Sequence, residues 1–112
     1  MRLRNGAAAA VLAFLALGLW AACGKGGPKD PVARGRSLYG IHCTACHNPN
    51  PALDGSLGPA IKGSPLELVQ ARVQRADYPP GYTPKRTTHI MPKLPLTDED
   101  VQDLHAFLNA AP

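Results

Sequence analysis

Two thiols and an imidazole stand within five residues of one another in Cys43-Thr44-Ala45-Cys46-His47. Thiols spaced three apart fall on one side of a single helical turn, where each can add to a vinyl group along one edge of a porphyrin. A histidine directly after the second thiol then brings its ring beneath the iron as an axial ligand. The pattern predicts one covalent haem c, attached through Cys43 and Cys46 and ligated by His47. Two other chemistries use the same residue types. A C-x-x-C pair can be a redox-active dithiol, but that wants alternating strands and helices, and the chain has no such alternation. Zinc would need a further ligand, and the only other cysteine, Cys23, lies in a segment that reads as a targeting signal.

A second axial ligand decides whether the iron is closed or open to small molecules. Met91, in His89-Ile90-Met91-Pro92, is the one methionine besides the initiator. Its soft thioether favours ferrous iron and raises the reduction potential. The competing reading is a core methionine that fills a gap. His89, two residues away, is the rival ligand. His105 and His42 read as packed or surface residues.

The elements that must position these groups occupy only part of the chain. Arg2 and Arg4 precede an apolar run from Ala7 to Ala22, broken only by Gly18. That run is short for a membrane span, which needs about twenty residues, so residues 1–22 read as an export signal. Leu19-Trp20-Ala21-Ala22-Cys23 resembles a bacterial lipoprotein signal, with Cys23 as the lipidated residue. An ordinary cut after Gly24 competes with it. Residues 23–29 read as a flexible tether, and residues 30–112 as one domain. The expected location is the periplasm or cell envelope, membrane-anchored through lipidated Cys23.

The formal charge of +4 falls to +2 without Arg2 and Arg4, since ten Lys and Arg then face eight Asp and Glu. Two haem propionates would bring it near zero. No basic cluster with interleaved aromatics is present, so nucleic acid is not an expected partner.

Asp30-Pro31 starts a helix, with a capping side chain followed by proline at the first helical position. Val32, Gly35 and Tyr39 share one face, and fraying is expected near Gly40. Residues 48–63 read as an irregular loop. Ser64-Pro65-Leu66-Glu67 reads as a capping box with proline at N1. The helix it opens would present Leu66, Val69, Val73 and Ala76 on one side. Residues 77–96 form a long irregular run rich in proline, which in a compact domain signals function or disorder. Thr97 caps the last helix, whose first turn carries Asp98, Glu99 and Asp100, and Val101, Leu104 and Leu108 line one face beside Phe107. The fold class is all-α: about three main helices wrapped round the cofactor. A domain this small has few core aromatics, so the chain without haem is expected to be largely unfolded.

The domain as a whole resembles the class I (mitochondrial-type) monohaem cytochromes c of bacteria over about residues 31–110. The resemblance rests on Gly35-Arg36-Ser37-Leu38-Tyr39 before the pentad, on Gly58-Pro59-Ala60-Ile61-Lys62-Gly63, on Met91-Pro92, and on Leu96-Thr97-Asp98-Glu99-Asp100-Val101 with Leu104 and Phe107. It implies that the first and last helices cross with Gly35 and Tyr39 against Leu104 and Phe107. It also implies that the Pro59 carbonyl accepts a hydrogen bond from His47. The stretch from Tyr78 to Arg86 is longer than usual for this family. Tyr82 and Arg86 within it are candidates for partner contacts or propionate donors.

The function so implied is one-electron transfer, not enzymatic catalysis, by a haem with His47 and Met91 on its iron. Its partners would be other redox proteins, such as a membrane oxidoreductase or a terminal reductase or oxidase. Three alternatives stand beside it. One is a haem c protein whose sixth site is open or labile and takes a small ligand or peroxide. Another is the cytochrome subunit of a larger oxidoreductase, and the last is a zinc-binding interaction module.

Overall fold

The computed structural model describes residues 29–112. The export signal, Cys23 and the tether up to residue 28 lie outside them. Three helices and their connections make up the described residues, with no strand among them.

Helix α1 spans Pro31–His42. Its first turn forms because the Asp30 carboxylate accepts the Ala33 N–H at 3.0 Å, and because Pro31 lacks the N–H that would be unpaired there. The helix does not fray at Gly40. The Cys43 N–H donates to the Tyr39 carbonyl at 2.9 Å and the Thr44 hydroxyl to the Gly40 carbonyl at 2.9 Å. The turn that carries the thiols is therefore hung directly on the end of α1.

Helix α2 spans Leu66–Arg75, and here the expectation needs correcting. No capping box forms. The Ser64 hydroxyl donates to the Ile61 carbonyl at 2.6 Å, and Pro65, in extended conformation, takes the cap position with no side-chain bond. The buried face is Leu68, Val69, Ala71 and Val73, whereas Leu66 is 39% exposed. Ala76 ends the helix in the left-handed region, at φ 52, and is not part of that face.

Helix α3 spans Asp98–Leu108 and packs on both α1 and α2. Thr97 and Asp100 form a reciprocal capping box: the Asp100 N–H donates to Thr97 Oγ1 at 3.2 Å and the Thr97 N–H to Asp100 Oδ2 at 2.9 Å. At the α1–α3 crossing a Cβ on Gly35 would run into the Asp103 carbonyl and come 2.8 Å from the Phe107 Cβ. Tyr39 and Phe107 meet one helical turn further on, ring centroids 5.3 Å apart and inclined at 51°. The glycine is there because the backbones touch.

The core joins Tyr39, Cys43, Val69, Val73, Val101, Leu104 and Leu108. The long run 77–96 has no helix or strand but is tied down at its far end. The Leu94 N–H donates to the Val73 carbonyl at 2.7 Å, and the Gln74 amide reaches the Leu96 carbonyl at 3.2 Å and Asp98 Oδ1 at 2.9 Å. Near α3, the Gly63 N–H donates to the Leu108 carbonyl at 2.9 Å and the Asn109 amide to the Ser64 carbonyl at 2.9 Å. These bonds hold the two long loops around one cleft.

Candidate functional site

The turn after α1 continues the helical path. The N–H groups of Cys46 and His47 both donate to the Cys43 carbonyl, at 3.2 and 2.8 Å. Cys43 is buried, Cys46 and His47 are half-buried, and neither thiol is in a disulfide. The loop that follows folds back on the same turn. The Leu57 and Gly58 N–H groups donate to the Cys46 carbonyl at 3.3 and 2.9 Å, and the Tyr39 hydroxyl donates to the Asn48 carbonyl at 2.6 Å.

That return loop fixes the imidazole. His47 Nδ1 lies 3.0 Å from the Pro59 carbonyl oxygen. A carbonyl only accepts, so Nδ1 carries a proton, and Nε2 is the nitrogen that the bond leaves available to a metal. Gly58 lies against the ring: a Cβ there would sit 2.5 Å from Nδ1 and 2.8 Å from Nε2. The Ala60 N–H, one residue past Pro59, donates to Asp54 Oδ1 at 2.8 Å and steadies the turn.

Cys43, Cys46, His47, Pro59 and Met91 all line one cleft of about 1000 Å³, open solvent at its mouth included. Its walls come from α1, α2, α3 and both long loops. Tyr39, Leu57, Ile61, Val69, Val73 and Leu104 are among its apolar lining. Met91 is half-buried and packs against the core cluster. His89 is exposed and does not line the cleft, and neither do the half-buried His42 and His105.

Burial, and secondarily the neighbouring Cys46, push the Cys43 thiol up to about 11. A reactive dithiol needs a thiol whose pKa is lowered, so the site is poorly suited to disulfide exchange. Among the described residues no group of three or more His, Cys, Asp or Glu side chains is arranged to hold a metal ion. Two thiols and a free imidazole nitrogen on the wall of an apolar cleft, with a thioether in the same cleft, fit a large flat apolar cofactor bearing iron.

Sequence reasoning singled out Tyr82 and Arg86 in the long loop but missed two of their neighbours. Arg72, on α2, also lines the cleft, with its guanidinium carbon 4.2 Å from the Tyr78 ring centroid. Lys85 lines it too and donates to the Ala60 carbonyl at 2.7 Å. The helical spacing in α2 could have flagged Arg72, which lies three residues after the inward-facing Val69.

A helical shell closed around one cleft defines a small all-α cofactor-binding protein. A family model described as cytochrome c matches residues 32–112. The chain belongs to the cytochrome c family, and its cofactor is covalent haem c. It is a haem c electron-transfer protein, a class that works with other redox proteins. No curated protein and no solved structure matches the chain. Among the described residues no helix is long and apolar enough to cross a membrane.

Proposed function

We propose that the protein is a class I, one-electron carrier whose haem is bonded to Cys43 and Cys46 and whose iron is held by His47 and Met91. The single observation that carries this reading is the fixed imidazole. Pro59 engages Nδ1 at 3.0 Å and Gly58 leaves the ring its place, so Nε2 is the nitrogen left to coordinate.

The bound haem supplies a reversible Fe(III)/Fe(II) couple. The chain's own residues govern its environment. The carbonyl of Pro59 holds the Nδ1 proton of His47 and so raises the basicity of the ligand nitrogen. Met91 offers a thioether, which favours the ferrous state. Core residues such as Val69 and Leu104 exclude water from the cleft. His47 and Met91 would together hold the iron and leave it no site for a substrate, which makes the role transfer rather than catalysis.

Residues 1–22 serve as an export signal in this reading. Cys23 carries lipid, residues 23–29 form the tether, and residues 30–112 form the cytochrome domain; the apolar run Ala7–Ala22 followed directly by Cys23 supports this division. The protein then works in the periplasm or cell envelope, held at a membrane surface. Its partners are a membrane oxidoreductase and a terminal reductase or oxidase, met in small, transient complexes.

The test is visible spectroscopy of the matured protein. Thioether ligation predicts a long-wavelength thioether-to-iron charge-transfer band in the ferric state and no carbon monoxide binding to the ferrous state. Met91→Ala should lose the band and gain carbon monoxide binding. A wild type that binds carbon monoxide and lacks the band would contradict Met91 ligation and favour an open sixth site. Mass spectrometry of the mature N-terminus decides the fate of Cys23.

A further inference from the structure

The cleft is apolar, yet three of its lining residues are cationic and none is acidic: Arg72, Lys85 and Arg86. Their contacts leave most of that charge uncompensated. The Arg72 guanidinium lies 4.2 Å from the Tyr78 ring centroid and reaches a backbone oxygen, that of Asp77, at 3.4 Å. Tyr78 in turn stacks on Tyr82, centroids 5.5 Å apart and planes within 8° of parallel. An aromatic face orients a guanidinium without neutralising it. Lys85 donates to the neutral Ala60 carbonyl. Only Arg86 meets a carboxylate, that of Asp54 at 3.7 Å, and the Asp54 side chain is 70% exposed, so water screens the pair.

Cations gathered on the wall of an apolar cleft call for an anion inside it. We propose that Arg72, Lys85 and Arg86 form the carboxylate-binding side of this cleft and take the two propionates of the haem, with Tyr78 and Tyr82 holding Arg72 in position. The inference rests on the proposed function, since it needs haem in this cleft. It gives a task to the long Tyr78–Arg86 stretch. The stretch supplies Lys85 and Arg86 directly, and it carries the aromatic stack that orients a third cation from α2.

A propionate deprived of its cation leaves a bare negative charge near the iron, which favours the ferric state. Loss of one unit charge about 12 Å away shifts an equilibrium on the order of tenfold at an effective dielectric near 20.

The experiment is potentiometric titration of the matured protein and of Arg72→Gln, Arg72→Lys and a Lys85→Gln/Arg86→Gln double variant. Each is first checked for covalent haem by intact mass and for the ferric charge-transfer band. We expect Arg72→Gln to lower the reduction equilibrium constant about tenfold. Arg72→Lys should recover a large part of the loss, and the loop double variant should fall in the same direction. The double variant lies on an exposed loop, so it reports even if changes in α2 impair folding. Loaded variants at the wild-type potential overturn this proposal alone. So do variants whose potential is unchanged while their reaction with a redox partner loses its salt dependence, because the cations then serve docking. Wild-type protein without covalent haem overturns the proposed function and this inference with it.

Discussion

Arg34 on α1 donates to both carboxylate oxygens of Asp103 on α3, at 2.7 and 3.0 Å. Asp103 is 4% exposed and is the one buried charged residue among the described residues. Its partner is half-buried, and Glu99 stands 3.9 Å from the same guanidinium. A buried carboxylate held at two points across a helix crossing sets the register of α1 on α3. Removing one partner of such a pair is costly because the other is left buried and unpaired. Arg34→Met should therefore lower Tm by several degrees, while the Arg34→Met/Asp103→Leu double variant recovers at least half of the loss. Calorimetry of the three proteins checks the order. A double variant no more stable than Arg34→Met would show that the loss does not come from leaving Asp103 buried and unpaired.

The next residue has the closest neighbours of the described glycines. Gly35→Ala places a methyl into the Asp103 carbonyl and against the Phe107 Cβ. Overpacking of this kind costs about 1–3 kcal/mol, and backbone against backbone puts this site at the upper end. We expect Tm to fall by roughly 10 °C or more. Gly40→Ala is the control: nothing lies within 4 Å of its Cβ position, so stability should hold or rise slightly.

Gly58 bears on the chemistry rather than on the core. A Cβ there would displace the His47 ring from its place against Pro59. Gly58→Ala should keep its covalent haem but show a weakened His47 bond, with a perturbed visible spectrum and a higher midpoint pH for loss of the low-spin form in acid. An acid titration followed by absorbance measures this. A spectrum and acid midpoint equal to wild type would mean that the ring is not confined by Gly58.

Much of this was legible in the sequence where the governing interactions are local. The Asp30-Pro31 start of α1 and the Thr97 start of α3 each depend on side chains within three residues, and both form as expected. The placing of Tyr39 beside Phe107, implied by the family resemblance, also holds. The start of α2 was not legible. Ser64 can cap the helix or bond the Ile61 carbonyl, and the surrounding turn selects the second. Asp103 was missed because an acidic residue at helical spacing usually faces water. Only its neighbour Leu104 and the distant Arg34 show otherwise. The Arg72–Tyr78–Tyr82 stack joins α2 to the long loop, so no local pattern announces it.

Tyr39 gives the fold a pH limit. Burial, and secondarily Cys43, push its phenol up to about 12 from the ordinary 10. A group whose folded pKa is raised contributes stability that is complete below its unfolded pKa and is lost as pH rises through the folded one. Stability should therefore decline between about pH 10 and 12. Once Cys43 is a thioether it has no proton to lose, so in the loaded protein burial is the cause that remains. Tyr39→Phe forfeits the hydroxyl bond to the Asn48 carbonyl and should start less stable at pH 8. Denaturant unfolding from pH 8 to 12 should show a flatter alkaline decline in the variant than in wild type. Parallel declines would assign the loss to another group.

The most direct test is an intact-mass measurement, under denaturing conditions, of protein exported by a host that can mature c-type cytochromes. Wild type should carry one haem that survives denaturation. The Cys43→Ala/Cys46→Ala variant should be colourless, carry no added mass, and lose most of its far-ultraviolet helical signal. An unmodified wild-type mass, or a variant that keeps its helices without the cofactor, would contradict the claim that this fold is built around a haem fixed at Cys43 and Cys46.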